Sequence, residues 1–205
     1  MVKYFHCDLE TSGTDKNRHG ILQIAGCIEI DNKVEEYFEW FVKLYPDQEI
    51  DPDALAVNNI KPEDIETFMD PRVCLSEIKK LCSKYVDFWD KTDKFFFVGY
   101  NAKFDYDFFR EFFIKGAITE KEKQFGNGFG NYFWVPPLDV MNIAAMAIRH
   151  QRGQYNLPNF KLITVAKLFG IVVDDGAEFH NARFDIDVTR KLFKLLIGEQ
   201  DGTDN

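Results

Sequence analysis

Basic residues are in short supply. The chain has 25 Lys and Arg against 34 Asp and Glu, a formal net charge of −9. That balance excludes a broad basic surface of the kind that grips duplex DNA. Cysteine is sparse as well: Cys7, Cys27, Cys74 and Cys82 form no CxxC pair, so a thiolate zinc site is not expected, and all four are read as buried, reduced thiols. No apolar run approaches the roughly 18 residues of a membrane-spanning helix. The opening segment, Met1 to Asp8, reaches an acid too early for a secretory leader. These absences lead us to expect a soluble, cytoplasmic protein with no membrane partner. A Gly-rich phosphate loop with an adjacent Lys is also missing, because Gly126-x-Gly128-x-Gly130 has no Lys beside it and runs into Pro136-Pro137. That argues against a nucleotide-hydrolysing enzyme of the phosphate-loop type.

What the chain has in excess is phenylalanine, with 21 residues, many of them at expected core positions. Its length of 205 residues suits one domain with a substantial core. No internal repeat or long linker divides it, so we expect one domain over 1–198 and a polar, frayed tail over 199–205. Strands are expected over Val2–Glu10, Ile21–Ile30, Val34–Leu44 and Phe95–Tyr100. Helices are expected over Leu75–Trp89, Phe104–Ile114, Leu138–His150 (capped by Asp139), Leu162–Phe169 and Ala182–Ile197. Short helical pieces break the irregular stretch 46–71, and 124–137 reads as a mobile Gly/Asn/aromatic loop. Strands first and helices later, with alternation between them, indicate an α/β fold: a mixed sheet, antiparallel in its first three strands and flanked by helices.

Five residues stand out within apolar or aromatic surroundings. Asp8 and Glu10 are two apart on the first strand, so both carboxylates project to one face, with Tyr4 and His6, while Phe5, Cys7 and Leu9 take the other. Both acids can then reach one ion, although two solvated acids at a strand end read equally well on this segment alone. Asp105 follows Asn101 at a strand-to-helix junction, where ligands often sit; an acid in a first helical turn is also ordinary. Asp107 is expected at the surface. His180 precedes the last helix and Asp185 lies within it, while Asp187 points about 200° round the helix and is expected to be solvated. Carboxylates gathered in one place are costly unless cations fill the space, and hard oxygen ligands suit Mg²⁺ or Mn²⁺.

Three segments carry a family resemblance. Asp8-Leu9-Glu10-Thr11-Ser12-Gly13, Asn101-x-x-Phe104-Asp105 and His180-x4-Asp185 resemble the three exonuclease motifs of the DEDDh, DnaQ-like 3′→5′ exonucleases. Proofreading subunits of bacterial DNA polymerase III, RNase T and oligoribonuclease are members. The sister class carries a tyrosine at the slot of Asn181, so the histidine class is the better match. The resemblance implies an RNase H-like fold with a central mixed five-stranded sheet. It also implies hydrolysis from the 3′ end of single-stranded nucleic acid, with DNA favoured over RNA, and release of nucleoside 5′-monophosphates. By the same resemblance Asp8, Glu10, Asp105 and Asp185 would hold two divalent cations, and His180 would act as general base. Thr11, Ser12, Gly13 and Asn101 would contact substrate, and Leu22 would wedge against the last base. A polymerase or replication protein is an expected partner, given the acidic surface. One departure is visible: Asn58 and Asn59 stand where family members often carry His-Gly. The rival reading is a non-catalytic module that keeps the old site, which loss of one acid would have favoured; all five residues are present.

Overall fold

The computed structural model describes residues 1–149, 157–173 and 182–199. Its frame is a five-stranded sheet in the order β3-β2-β1-β4-β5. Strands β1 (Lys3–Thr11), β2 (Ile21–Ile30) and β3 (Lys33–Phe41) form an antiparallel meander; β4 (Phe96–Gly99) and β5 (Leu138–Asp139) join parallel to β1. The helices are α1 (Pro52–Asn58), α2 (Pro62–Ile65), α3 (Pro71–Tyr85), α4 (Ala102–Lys115), α5 (Glu120–Gln124), α6 (Phe129–Tyr132), α7 (Val140–Ala147), α8 (Leu162–Leu168) and α9 (Ala182–Ile197).

β1 is central, so both of its faces are covered. Phe5, Cys7 and Leu9 enter a core with Ile78, Leu81 and Cys82 of α3 and Phe109, Phe112 and Phe113 of α4. Phe5 stacks on Phe38 at a ring separation of 4.8 Å and meets Phe133 edge-on at 5.1 Å. On the opposite face Tyr4 joins Val98, Val140, Ala144, Val165, Leu192 and Phe193, beneath α7, α8 and α9. Packing is close enough that a Cβ added at Gly26 would lie 2.1 Å from the His6 carbonyl oxygen. All four cysteines are free and buried, as expected. Among the described residues, no helix is long and apolar enough to cross a membrane.

The structure moves several expected boundaries. α3 begins at Pro71, because Asp70 accepts from the Arg72 and Val73 N–H groups and Pro71 is pre-set for a first helical position. It stops at Tyr85, leaving Trp89 88% exposed outside it. The stretch 124–137 is not an open loop: Phe129, Tyr132 and Phe133 bury their rings in the main core, and a short 3₁₀ turn and α6 carry them there. Asp139 does cap a helix, accepting from Met141 N–H at 3.0 Å, but Leu138–Asp139 first pair with β4 as the fifth strand. Residues of the expected tail beyond Glu199 lie outside the described residues.

One buried contact is polar. Glu29 on β2 is fully buried, with Lys194 Nζ of α9 2.8 Å from Oε1, and His6 Nε2 3.2 Å and Arg190 3.4 Å from Oε2. The Lys194 approach is close enough for ionic attraction, although Glu29 Oε1 and His6 Nε2 are not aligned as hydrogen bonds. Burial pushes the Glu29 carboxyl up, but His6, Lys194 and Arg190 outweigh it and hold it at about 2. Burial keeps the His6 imidazole below its usual value despite Glu29, so the two cations of α9 balance the charge. Glu29→Gln would leave those cations beside a neutral amide, a change expected to cost about 3–5 kcal/mol, read as a lower urea midpoint. Because the folded pKa of Glu29 lies below the unfolded one, its contribution is present above about pH 4.5 and is lost as pH falls toward 2. The gap between wild type and Glu29→Gln is therefore expected to close on acidification.

Candidate active site

The site forms at the C-terminal edge of the parallel strands. β1 ends there with Asp8 and Glu10, both half-buried and facing α9, as the alternation along β1 requires. β4 ends there with Gly99 and turns through Tyr100 and Asn101 into α4. Asn101 takes a left-handed backbone (φ 65°) to make that turn, and its N–H donates to Asp139 Oδ1 at 3.1 Å. The first turn of α4 then carries Asp105 back toward β1, where its Oδ1 accepts the Leu9 N–H at 3.2 Å. Asp185 comes from the first turn of α9. A cleft of about 510 Å³ opens over this edge, lined among the described residues by Asp8, Asp185, Tyr100, Lys161, Leu162, Ile163 and Thr164.

Electrostatics bind these acids into one group. Burial and the charge of Asp185 push the Asp8 carboxyl up to about 7. Burial, Asp8 and Asp185 push Glu10 up to about 8. Burial and Asp8 drive Asp105 well above the usual carboxylate range, against the Leu9 N–H that favours its anion. Asp185 thus acts on Asp8 and Glu10, and Asp8 acts on Glu10 and Asp105. Among the described residues, no group of three or more His, Cys, Asp and Glu is drawn tightly enough to hold an ion as it stands. Mutual repulsion opposes such closure. The donor set nevertheless fits hard divalent cations: it is all oxygen, and its raised carboxyls are the ones a cation would return to the anionic form.

The remaining expected site residues divide. His180 and Asn181 lie outside the described residues. Leu22 has no exposed surface; it packs with Leu55 and Ile65 in a separate small core, so it is structural and not a wedge against a base. Ser12 is fully buried too: its hydroxyl donates to the Glu49 carbonyl at 2.6 Å and accepts the Gly20 N–H at 2.9 Å. The Thr11 hydroxyl donates to the Gly13 carbonyl at 2.7 Å, and a Cβ at Gly13 would lie 2.5 Å from the His19 ring. The side chains of Thr11 and Ser12 therefore build the turn after β1 and are not turned out for contact. Asn58 is part of the same brace, its side-chain amide donating to the Thr11 carbonyl at 2.8 Å. Asp107 is a surface acid paired with Lys103 at 2.6 Å, whereas Asp187 is not simply solvated: it accepts the Tyr37 hydroxyl at 2.8 Å. Sequence reasoning missed Tyr100, Lys161 and Thr164 as cleft residues; a lone Lys before a short helix gives no periodic or motif signal.

Asp8→Asn is expected to stabilise the cation-free protein. A carboxyl whose folded pKa exceeds its unfolded value costs the fold stability as pH rises from about 4 through its folded pKa, here about 7 for Asp8 and about 8 for Glu10. With EDTA present, Asp8→Asn should melt several degrees higher than wild type at pH 8 and close to it at pH 4. Equal melting curves at both pH values would show that the acids do not burden one another.

Comparison with known proteins agrees with this geometry. The exonuclease (RNase T) family model matches residues 5–125, which span Asp8, Glu10 and Asp105. No curated relative matches the sequence. E. coli exonuclease I, solved with a dT13 oligonucleotide, is 21% identical, with a TM-score of 0.70 over 98% of this chain and 42% of that one. A zinc-bound form of the E. coli exonuclease I–ssDNA complex is 23% identical, with a TM-score of 0.68 over 98% and 41% of the two chains. An SSB/exonuclease I structure is 21% identical, with a TM-score of 0.66 over 98% and 42%. The chain thus spans about two-fifths of the length of these structures. With its mixed sheet and acids at one sheet edge, the chain belongs to the exonuclease family and has the RNase H-like fold of the family's DEDDh, DnaQ-like members.

Proposed function

We propose that this chain is a metal-dependent 3′→5′ exonuclease that degrades single-stranded nucleic acid, DNA by preference, and releases nucleoside 5′-monophosphates. The observation that carries the reading is the convergence of Asp8, Glu10, Asp105 and Asp185 beside an open cleft, where burial, together with the charges of Asp8, Glu10 and Asp185 on their neighbours, raises the carboxyls of Asp8, Glu10 and Asp105. The single-stranded DNA bound by the exonuclease I structures of the same fold supports DNA as the polymer. A deficit of basic residues, with net charge −9, supports work on frayed or single-stranded ends and help from a polymerase or other replication protein that holds the polymer. The working unit is one domain over 1–198.

In this reading Asp8, Glu10 and Asp185 would hold one divalent cation, Mg²⁺ or Mn²⁺, and Asp105 with Asp8 would hold a second. Held there, such cations would supply positive charge to the attacking and leaving oxygens. The chain's own residues do the rest. The Leu9 N–H keeps the Asp105 carboxylate aimed at β1. His180 takes the proton of the attacking water, a role open to an imidazole at neutral pH. Attack breaks the bond to the 3′ oxygen of the upstream strand, and the terminal nucleotide leaves with the phosphate.

Single-stranded DNA and RNA of matched sequence, labelled at either end, test this directly. With Mn²⁺, a 3′-labelled DNA strand is expected to lose its label as mononucleotide at once, while a 5′-labelled strand shortens as a ladder. Release from the 5′ end, or no hydrolysis of either polymer, would overturn the reading; faster loss of RNA would reassign the polymer only. Asp8→Ala, Glu10→Ala, Asp105→Ala and Asp185→Ala are each expected to abolish nearly all turnover in folded protein. His180→Ala should lower turnover by roughly 10²–10⁴, leave Mn²⁺ affinity by calorimetry near wild type, and regain rate as pH rises.

A further inference from the structure

The cleft presents a difficulty for its own substrate. A phosphodiester strand is a polyanion, and the acids Asp8 and Asp185 line the cavity it must enter. The cations supply charge at the acids themselves, but the strand also has to be held beyond them. Among the described residues lining the cleft, Lys161 is the single basic one. It is exposed, and among the described residues it makes no ion pair. Three cations elsewhere are committed: Lys103 to Asp107 at 2.6 Å, Lys115 to Asp47 at 2.6 Å, and Arg18 to Glu49 at 2.6 Å.

The backbone that carries Lys161 is braced from three sides. The Tyr100 hydroxyl, at the end of β4, donates to the Phe160 carbonyl at 2.7 Å. Asn159 Oδ1 accepts the Lys161 N–H at 3.0 Å and the Thr164 hydroxyl at 2.8 Å. The Lys161 carbonyl in turn accepts the Val165 N–H at 3.0 Å and opens α8. Leu162 and Val165 anchor that helix in the core. The stem is thus fixed to the same sheet edge as the acids, while the long side chain lies at the cleft rim.

We propose that Lys161 binds a backbone phosphate of the strand in the cleft and sets affinity for the polymer without taking part in bond cleavage. The proposal rests on the exonuclease reading above. An ammonium donating to a phosphate is a charge-assisted contact, and each phosphate neutralised on a single strand steepens the salt dependence of binding by about 0.7 in a log–log plot.

The test uses the full chain, Lys161→Ala and Lys161→Arg, with two readouts. The first is fluorescence anisotropy with a labelled single-stranded DNA whose 3′ linkages are phosphorothioate, titrated across NaCl concentrations. The second is steady-state hydrolysis of the unmodified strand. Lys161→Ala is expected to weaken binding and raise KM about ten-fold, flatten the salt slope by about 0.7, and leave kcat within about two-fold and the melting temperature unchanged. Lys161→Arg is expected to restore the slope. An unchanged Kd and slope in Lys161→Ala, a fall in kcat at constant KM, or an Arg variant no better than Ala would overturn the proposal. Lys161-dependent binding without hydrolysis by wild type would sink the exonuclease reading and leave the phosphate contact standing; hydrolysis indifferent to Lys161 would do the reverse.

Discussion

Repulsion among Asp8, Glu10, Asp105 and Asp185 is the constraint to which the rest of the molecule answers. Carboxylates left to themselves separate into water. Here three independent elements hold them at one edge: β1 supplies two, α4 the third and α9 the fourth. Burial first, and the neighbouring charges after it, raise the carboxyls of Asp8, Glu10 and Asp105. Such an arrangement persists only if the elements are held more firmly than the acids push. That is why a sheet only five strands wide carries so much aromatic mass on one face and a buried ion cluster on the other.

The two faces hold in different ways. On the α3/α4 face, rings of Phe5, Phe97, Phe109, Phe113, Phe129 and Phe133 interlock edge to face and offset, which fixes α4 and with it Asp105. On the α9 face the apolar contacts of Leu192 and Phe193 fix the helix against the sheet, but an apolar stripe alone tolerates sliding. Glu29, met by Lys194 at 2.8 Å and Arg190 at 3.4 Å, ties α9 to β2 at a polar point within that stripe. The same helix carries Asp185 in its first turn.

Much of this was legible in the residues because it obeys short-range rules. The alternation from Tyr4 to Glu10 sorts the two faces of β1 as the structure has them, and Asp139 announces a helix start. What sequence could not supply was context. Leu138–Asp139 is too short to signal a strand; it becomes one only because β4 lies beside it. Gly126, Asn127 and Gly128 read as a loop, yet their backbone freedom is what lets Phe129 and Phe133 turn into the core. Leu22 lies on a strand following the first motif, and nothing local distinguishes a leucine facing a base from one facing Leu55 and Ile65. Ser12 carries a polar group that a turn consumes entirely.

The cleft residues missed by sequence share one physical property: they act through position and not through pattern. Tyr100 lies just past β4, Lys161 just before α8, and they meet only because the Tyr100 hydroxyl reaches the Phe160 carbonyl across 60 positions of chain. A motif records residues that chemistry forces to recur at fixed spacing, as Asp8 and Glu10 must on one strand face. A residue that offers charge at the rim of a cleft need only be within reach, and many sequence positions satisfy that. Acids paired on one strand face are therefore readable from spacing, while the other groups of the cleft become visible only once the sheet edge has brought distant segments together.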